Sequence, residues 1–422
     1  MTAPFSNGDI RRAALMIICL ATLLRILWAA LVPVAPVSDQ VAYLTFATNI
    51  ALHGVYGWTP AEPTAYWAVG TAAIYGALFK VFGVAFWPIV ILNIVIGTTL
   101  VAMTMALARI LYGDRVALVA GAVMALWPSQ ILFVTVLASE LPFMLLIVAA
   151  AWAWLNTGWP SWGRGVTVGL LLAGASYIRP VAILLPFVLA ISLGFPRWPG
   201  GTVRQHATAL LVAVLVMAVS IAPWTVRNYR VFGSFVLIST NGGAIFWMGN
   251  NPDTTGGYMP LPKRVSGLDE VERSTVLGAE AMDYVVENPG LFALRTLKKV
   301  VQLHVRETIA VHWNLEGLKA SVLSGLETPL KLLTTAYWSV ALGLALAAIA
   351  TTVVQIGWRT IFLLPVAVWG YLTAVHATTV ADDRYHFAAI PFIALLASAF
   401  LCRLMEFAWA RESPPAGKGA GA

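Results

Sequence analysis

Charge is scarce in this sequence. Of its 422 residues 11% are Asp, Glu, Lys or Arg and 59% are hydrophobic, with a mean hydropathy of +0.81. A soluble chain of this length could not cover itself with so little polar surface. Cysteine is scarcer still: Cys19 and Cys402 both lie in apolar runs, which excludes a disulfide framework and a thiolate metal motif. There is no GxxxxGK[ST] phosphate loop, no GxGxxG turn after a strand, no HExxH and no GxSxG. Those absences argue against nucleotide-driven chemistry, a metalloprotease and a serine hydrolase. The net charge of +7 is spread singly between apolar runs without a basic stripe, so no nucleic-acid partner is expected.

What the chain has is long apolar runs. About 20 apolar residues span a bilayer as a helix, and ten stretches qualify by eye: 13–35, 86–109, 116–134, 141–157, 166–178, 180–195, 207–226, 332–354, 360–378 and 386–406. Arg11 and Arg12 before the first run resemble a signal peptide, but the run is long enough to be retained as a span. The Gly- and Ala-rich stretch 66–83 reads better as an interfacial helix, because only then do the cations sort to one side. The inside segments then hold eleven cations (Arg11, Arg12, Arg109, Arg115, Arg164, Arg197, Arg204, Arg359, Arg403, Arg411, Lys418) against Asp9, Asp114, Glu406 and Glu412. That asymmetry obeys the positive-inside rule. Arg25, in mid-span, should face the bundle interior.

The expected architecture is an all-α, multi-pass membrane protein. It comprises an N-terminal membrane module, 1–226, with a first outer loop at 36–85; a large outer-face loop, 227–331; C-terminal membrane helices, 332–406; and a flexible cytoplasmic tail, 407–422. Gly, Asn, Asp and Pro in 241–260 predict turns, and 288–313, too charged to span, predicts an interfacial amphipathic helix. His304 and His312, eight apart on it, read as solvated rather than as metal ligands.

Acids and arginines gather at the outer rim: Asp39, Glu62, Glu140, Asp382 and Asp383, with Arg179, Arg227, Arg230 and Arg384. A carboxylate can take a hydroxyl proton, while guanidinium groups hold phosphate bidentately and stabilise it as a leaving group. That pairing suits transfer from a phosphate-linked donor anchored in the membrane. Each residue also has a plainer role open to it. Asp39 could cap a helix beginning near Val41, Glu140 could complement a helix N-terminus, and the arginines could snorkel to headgroups.

The motifs SDQVAYLTFATNIALHG (38–54), EPTAYWAVGTAAIYGALFKVFG (62–83), SELPFMLL (139–146), GASYIRP (174–180), APWTVRNYRVFGSFVLISTNGGAIFWMGNNP (222–252) and DDRYHFAAIPF (382–392) occur in order. Together they resemble GT-C membrane glycosyltransferases, in the bacterial group related to dolichyl-phosphate-mannose protein mannosyltransferases and aminoarabinose transferases. The resemblance implies a GT-C fold and a polyprenyl-phosphate sugar donor. It also implies a glycan, lipid or protein acceptor and a reaction at the outer face of a bacterial inner membrane. On it, Asp39 is the base and Glu140 a second catalytic acid, while Glu62, Arg179, Arg227, Arg384 and Tyr385 bind substrate. Members of the group differ in metal use, so a divalent ion stays open and no other cofactor is expected. A transporter or flippase of lipid-linked sugars, and a polysaccharide polymerase or ligase, are the alternative readings.

Overall fold

The computed structural model describes residues 6–194 and 201–412. Arg197, Lys418 and residues 413–422 of the expected tail lie outside the described residues. Helix α1 (Asn7–Leu31) starts where Ser6 accepts a hydrogen bond from the Asp9 amide, at 3.2 Å. Helix α2 (Asp39–His53) leads into a two-stranded antiparallel hairpin, β1 (Gly57–Thr59) and β2 (Glu62–Pro63). Next come α3 (Gly70–Phe82), α4 (Trp87–Tyr112), α5 (Asp114–Ala125), α6 (Pro128–Leu132), α7 (Glu140–Leu155), α8 (Ser161–Ile178) and α9 (Leu185–Ile191). Helix α10 (Val203–Phe232) begins with a Thr202–Gln205 capping box and stops at left-handed Gly233. The chain continues through α11 (Gly242–Gly249), α12 (Glu270–Glu287), α13 (Pro289–His304), α14 (Ile309–Trp313), α15 (Leu315–Lys319), α16 (Glu327–Ile356), α17 (Leu364–Thr378) and α18 (Ile390–Glu412).

Among the described residues, five helical segments are long and apolar enough to cross a membrane: Asn7–Leu31, Trp87–Tyr112, Val203–Phe232, Glu327–Phe362 and Tyr385–Ala408. Asp114–Ala125 with Pro128–Thr135, bent by 57°, makes a sixth when the pair is counted as one span. This is fewer than the ten expected. The stretch read at 141–157 folds as the 16-residue α7, and those read at 180–195 and 360–378 fold as interrupted helices, because Pro180, Pro186 and Pro365 restart the backbone hydrogen bonding within them.

Two close approaches hold the bundle. Gly165 and Gly169, four apart on α8, lie against the Ala209 and Ala213 carbonyls of α10, where a Cβ would come within 2.6 Å. Small residues at that spacing let membrane helices meet backbone to backbone. The 241–260 stretch is not all turn. Its centre is α11, which buries Ala244, Trp247 and Met248 against α12, while at Gly249 a Cβ would sit 1.6 Å from the Thr379 carbonyl. Burial of an apolar face outweighs the local turn propensity there.

The 288–313 stretch breaks into α13 and α14 rather than forming one helix. Leu294, Leu297 and Val301 stay exposed along one α13 face, as does Val305 just past its end, as an interfacial helix requires. His304 is not solvated: its Nε2 accepts from Trp369 Nε1 at 3.0 Å, and its ring stacks on Trp338. His312 is exposed. Arg25 is wholly buried, donating to the Ala21 carbonyl at 2.9 Å.

Candidate active site

The start of α2 carries the first functional group. Ser38, just before it, has φ of 52°, a left-handed conformation that costs a non-glycine residue about 1–3 kcal/mol. Asp39 is therefore the first helical residue and not the cap, and its carboxylate points away from the helix amides toward Arg384, with Oδ2 accepting from Nη1 at 2.5 Å. Gln40, one residue on and buried, takes the Leu137 amide on its Oε1 at 3.0 Å and donates from Nε2 to the Trp313 carbonyl at 3.3 Å. It fixes Asp39 between the approach to α7 and the end of α14.

Glu140 opens α7 and is almost fully buried, paired with Arg179. Arg179 closes α8 in an extended conformation (φ −145°, ψ 118°), as a residue before proline favours. Its Nε also donates to Ser139 Oγ at 2.9 Å. Tyr43, on α2, lies within electrostatic reach of Asp39, Arg179 and Glu140, and burial with the two carboxylates pushes its hydroxyl up to about 12.

Arg384 stands in the loop between α17 and α18. Its guanidinium lies over the Trp313 ring at 5.2 Å and the Tyr385 ring at 5.1 Å, and within electrostatic reach of Asp39, Glu140 and Asp382. Its Nε is buried with no hydrogen-bond partner among the described residues. Tyr385 in turn stacks on His376 of α17, 4.3 Å between ring centres. Asp39, Glu140, Arg179, Arg384 and Tyr385, drawn from four separate parts of the chain, thus meet at one end of the bundle.

Two of the sequence-predicted residues are placed elsewhere. Glu62 is exposed on the hairpin and bonds only to Thr59 Oγ1, at 3.3 Å. Arg227 spends its guanidinium on the Thr64 carbonyl at 2.9 Å and the Tyr56 carbonyl at 3.2 Å, stacked over Trp224. Opposite it, Glu270 of α12 accepts from Thr64 Oγ1 at 2.6 Å and the Ala65 amide at 2.7 Å. The first loop is thereby clasped between α10 and α12. Above it, Phe46, Trp58, Trp67 and Tyr66 form an aromatic wall, with Phe46 and Trp58 ring centres 4.6 Å apart.

Sequence reasoning missed the support beneath Arg384. Glu307 and His386 are fully buried and share a hydrogen bond at 3.1 Å. His386 Nδ1 meets the Leu303 carbonyl at 2.7 Å, and a carbonyl only accepts, so Nδ1 carries a proton and Nε2 faces the carboxylate. Glu307 also accepts from Trp127 Nε1 at 3.0 Å. Running the other way, Asp383 accepts from the Thr308 amide at 3.0 Å and its hydroxyl at 2.7 Å. These two crossings bolt residues 382–386 to 303–308. A signal was present in the Glu307-Thr308 polar pair that interrupts the amphipathic stretch.

Among the described residues no group of three or more His, Cys, Asp or Glu stands close enough to hold a metal ion.

The fold as a whole resembles solved membrane glycosyltransferases. Archaeoglobus fulgidus oligosaccharyltransferase in its apo form superposes with a TM-score of 0.59 at 12% identity, covering 97% of this chain and 52% of that one. The same archaeal enzyme, AglB, in complex with an inhibitory peptide and a dolichol-phosphate gives 0.55 at 12%, with 96% and 52% covered. ArnT from Cupriavidus metallidurans bound to undecaprenyl phosphate gives 0.58 at 14%, with 94% and 61% covered. The chain thus spans between half and about three-fifths of the length of these structures. No curated protein matches it in sequence. The chain is a multi-pass membrane protein with a GT-C-like fold. Its residues 67–226 match the family model for dolichyl-phosphate-mannose-protein mannosyltransferase, a glycosyltransferase family. That segment includes Glu140 and Arg179 but neither Asp39 nor Arg384.

Proposed function

We propose that this protein transfers a sugar from a polyprenyl-phosphate donor to an acceptor hydroxyl at the outer face of a bacterial inner membrane. The observation that carries the reading is the juxtaposition of Asp39 with Arg384, whose Nε is left free. The bound partners of the similar folds, dolichol-phosphate and undecaprenyl phosphate, support the same donor chemistry.

The step is a single displacement. The acceptor oxygen forms its bond to the anomeric carbon as its proton passes to the Asp39 carboxylate. The bond from that carbon to the phosphate oxygen breaks, and its electron pair leaves with the polyprenyl phosphate. Arg384 and Arg179 hold the leaving phosphate, which needs no strong general acid. Only Oδ2 of Asp39 is engaged by Arg384. A donor phosphate that draws the guanidinium away frees the carboxylate for the proton, so donor binding switches on the base. The aromatic wall of Phe46, Trp58, Trp67 and Tyr66 suits the apolar face of a sugar ring. Much of the rate comes from aligning two bound substrates.

Mass spectrometry of envelope glycans, glycolipids and glycoproteins tests the reading, comparing a deletion strain complemented with the wild type or with Asp39→Asn. A sugar lost on deletion and restored only by the wild type is expected. An unchanged envelope in the deletion strain would overturn it. The face is tested separately, with single cysteines at Tyr258 and Trp162, both exposed, in a background lacking Cys19 and Cys402. An impermeant thiol reagent added outside should label the first and spare the second; the reverse pattern places the chemistry inside.

A further inference from the structure

A cavity lies at the end of the bundle away from Asp39. It has a volume of about 620 Å³ and is bounded by the ends of α4 and α16, the turn leading into α17, and the middle of α18 around Leu396 to Arg403. Its walls are hydrocarbon, including Leu111, Phe362, Leu396 and Phe400, and its polar groups are Arg359, Arg403, Gln355, Thr352 and Tyr112. That volume falls within the range of dedicated ligand sites, about 300–1,000 Å³.

The charges at this end are not equivalent. Arg109 pairs with Asp114 at 2.7 Å and Arg115 with Glu406 at 3.5 Å. Arg359 and Arg403, the two that line the cavity, have no carboxylate within ion-pair distance among the described residues. Two exposed guanidinium groups at the mouth of an apolar cleft between membrane helices match one kind of occupant: an anionic head with hydrocarbon attached. Basic pockets between spans recognise acidic lipid headgroups in this way, and planar guanidinium groups hold phosphate oxygens bidentately.

We infer that Arg359 and Arg403 form a binding site for an anionic phospholipid in the leaflet opposite the Asp39 cluster. The phosphate sits between the two arginines and an acyl chain occupies the cleft lined by Phe362, Leu396 and Phe400. The site stands apart from the transfer chemistry and does not depend on which sugar is moved.

Native mass spectrometry of the delipidated protein in mild detergent is the test, with phosphatidylglycerol, phosphatidylethanolamine and inorganic phosphate added in parallel. Phosphatidylglycerol should be retained in preference to the zwitterionic lipid, and inorganic phosphate should not displace it. The double variant Arg359→Gln/Arg403→Gln should lose retention roughly tenfold or more, while Arg115→Gln leaves it unchanged. Both arginines are exposed, so the variant should melt as the wild type does. If it does not, Thr352→Trp, which fills the cleft without altering charge, should still lower retention. Equal retention of the two lipids, or undiminished phosphatidylglycerol binding by the double variant and by Thr352→Trp, would overturn the site.

Discussion

The carboxylate pairs at the candidate site divide into two regions. Asp39–Arg384 is partly open to solvent, with the two side chains 24% and 20% exposed, whereas Glu307–His386 beneath it is sealed at 0% and 1%. The open pair can exchange partners with an incoming anion at modest cost, because water reaches it. The sealed pair cannot: every polar atom it uses is matched by protein, and breaking one contact strands the others in an apolar surround. The difference separates the groups proposed for the chemistry from the groups that hold them in place. Glu140–Arg179 stands between the two, its acid buried and its guanidinium 14% exposed.

The largest effect should come from the sealed side. Glu307→Ala leaves His386 Nε2 and Trp127 Nε1 without their partner and should cost about 3–5 kcal/mol of stability. A thermal melt followed by size-exclusion chromatography would show it, and Glu307→Gln, which retains an acceptor, should be milder. A normal melt for Glu307→Ala would erase the distinction between the regions.

On the open side the order of effects reverses, with activity falling while the fold stands. Asp39→Asn should lower transfer by at least about 100-fold, the scale of a lost general base, without shifting the melt, since Asp39 makes no capping bond. Near-normal transfer would remove it from the chemistry. Arg384→Lys keeps the charge but loses the planar fork, and should raise KM for a polyprenyl-phosphate donor about tenfold. An unchanged KM in folded protein would show that the phosphate sits elsewhere.

Asp382 gives the smallest and most diagnostic effect. Burial raises its pKa above the ordinary value; Arg384 opposes the rise and Asp383 adds to it. Folded protein therefore holds this proton more tightly than unfolded protein does. The group's stabilising contribution is complete below the unfolded pKa and is lost as pH rises through the folded one. Asp382→Asn should accordingly raise the melting temperature at about pH 7, with the gain shrinking toward zero as pH falls into the ordinary carboxylate range. A gain that grows on acidification would contradict this sign.

How much of this was legible in the sequence varies from residue to residue. Asp39, Glu140, Arg179 and Arg384 were readable as rim charges because span ends follow from apolar run length. The capping alternative for Asp39 was open as well, and it fails because Ser38, with its left-handed φ, takes the cap position and leaves Asp39 inside the helix. Glu270 was lost among ordinary loop acids, and Arg227 looks from its sequence like any cation at a span end. Only the fold shows that the two clasp the first loop.

The sequence by itself determined that the chain is helical and multi-pass and which residue types crowd its rims, since hydropathy reports the free energy of transferring each segment into lipid. It could not rank the spans. Asn7–Leu31 and Tyr385–Ala408 both pass as membrane helices, yet the first is 17% buried at the edge of the bundle and the second 72% buried at its centre. Tertiary structure alone decided that ranking, along with the pairings of residue 39 with 384, 140 with 179 and 307 with 386. Apolar run length averages over all faces of a helix, whereas an ion pair depends on which single face meets which neighbour, and nothing local in the chain encodes that.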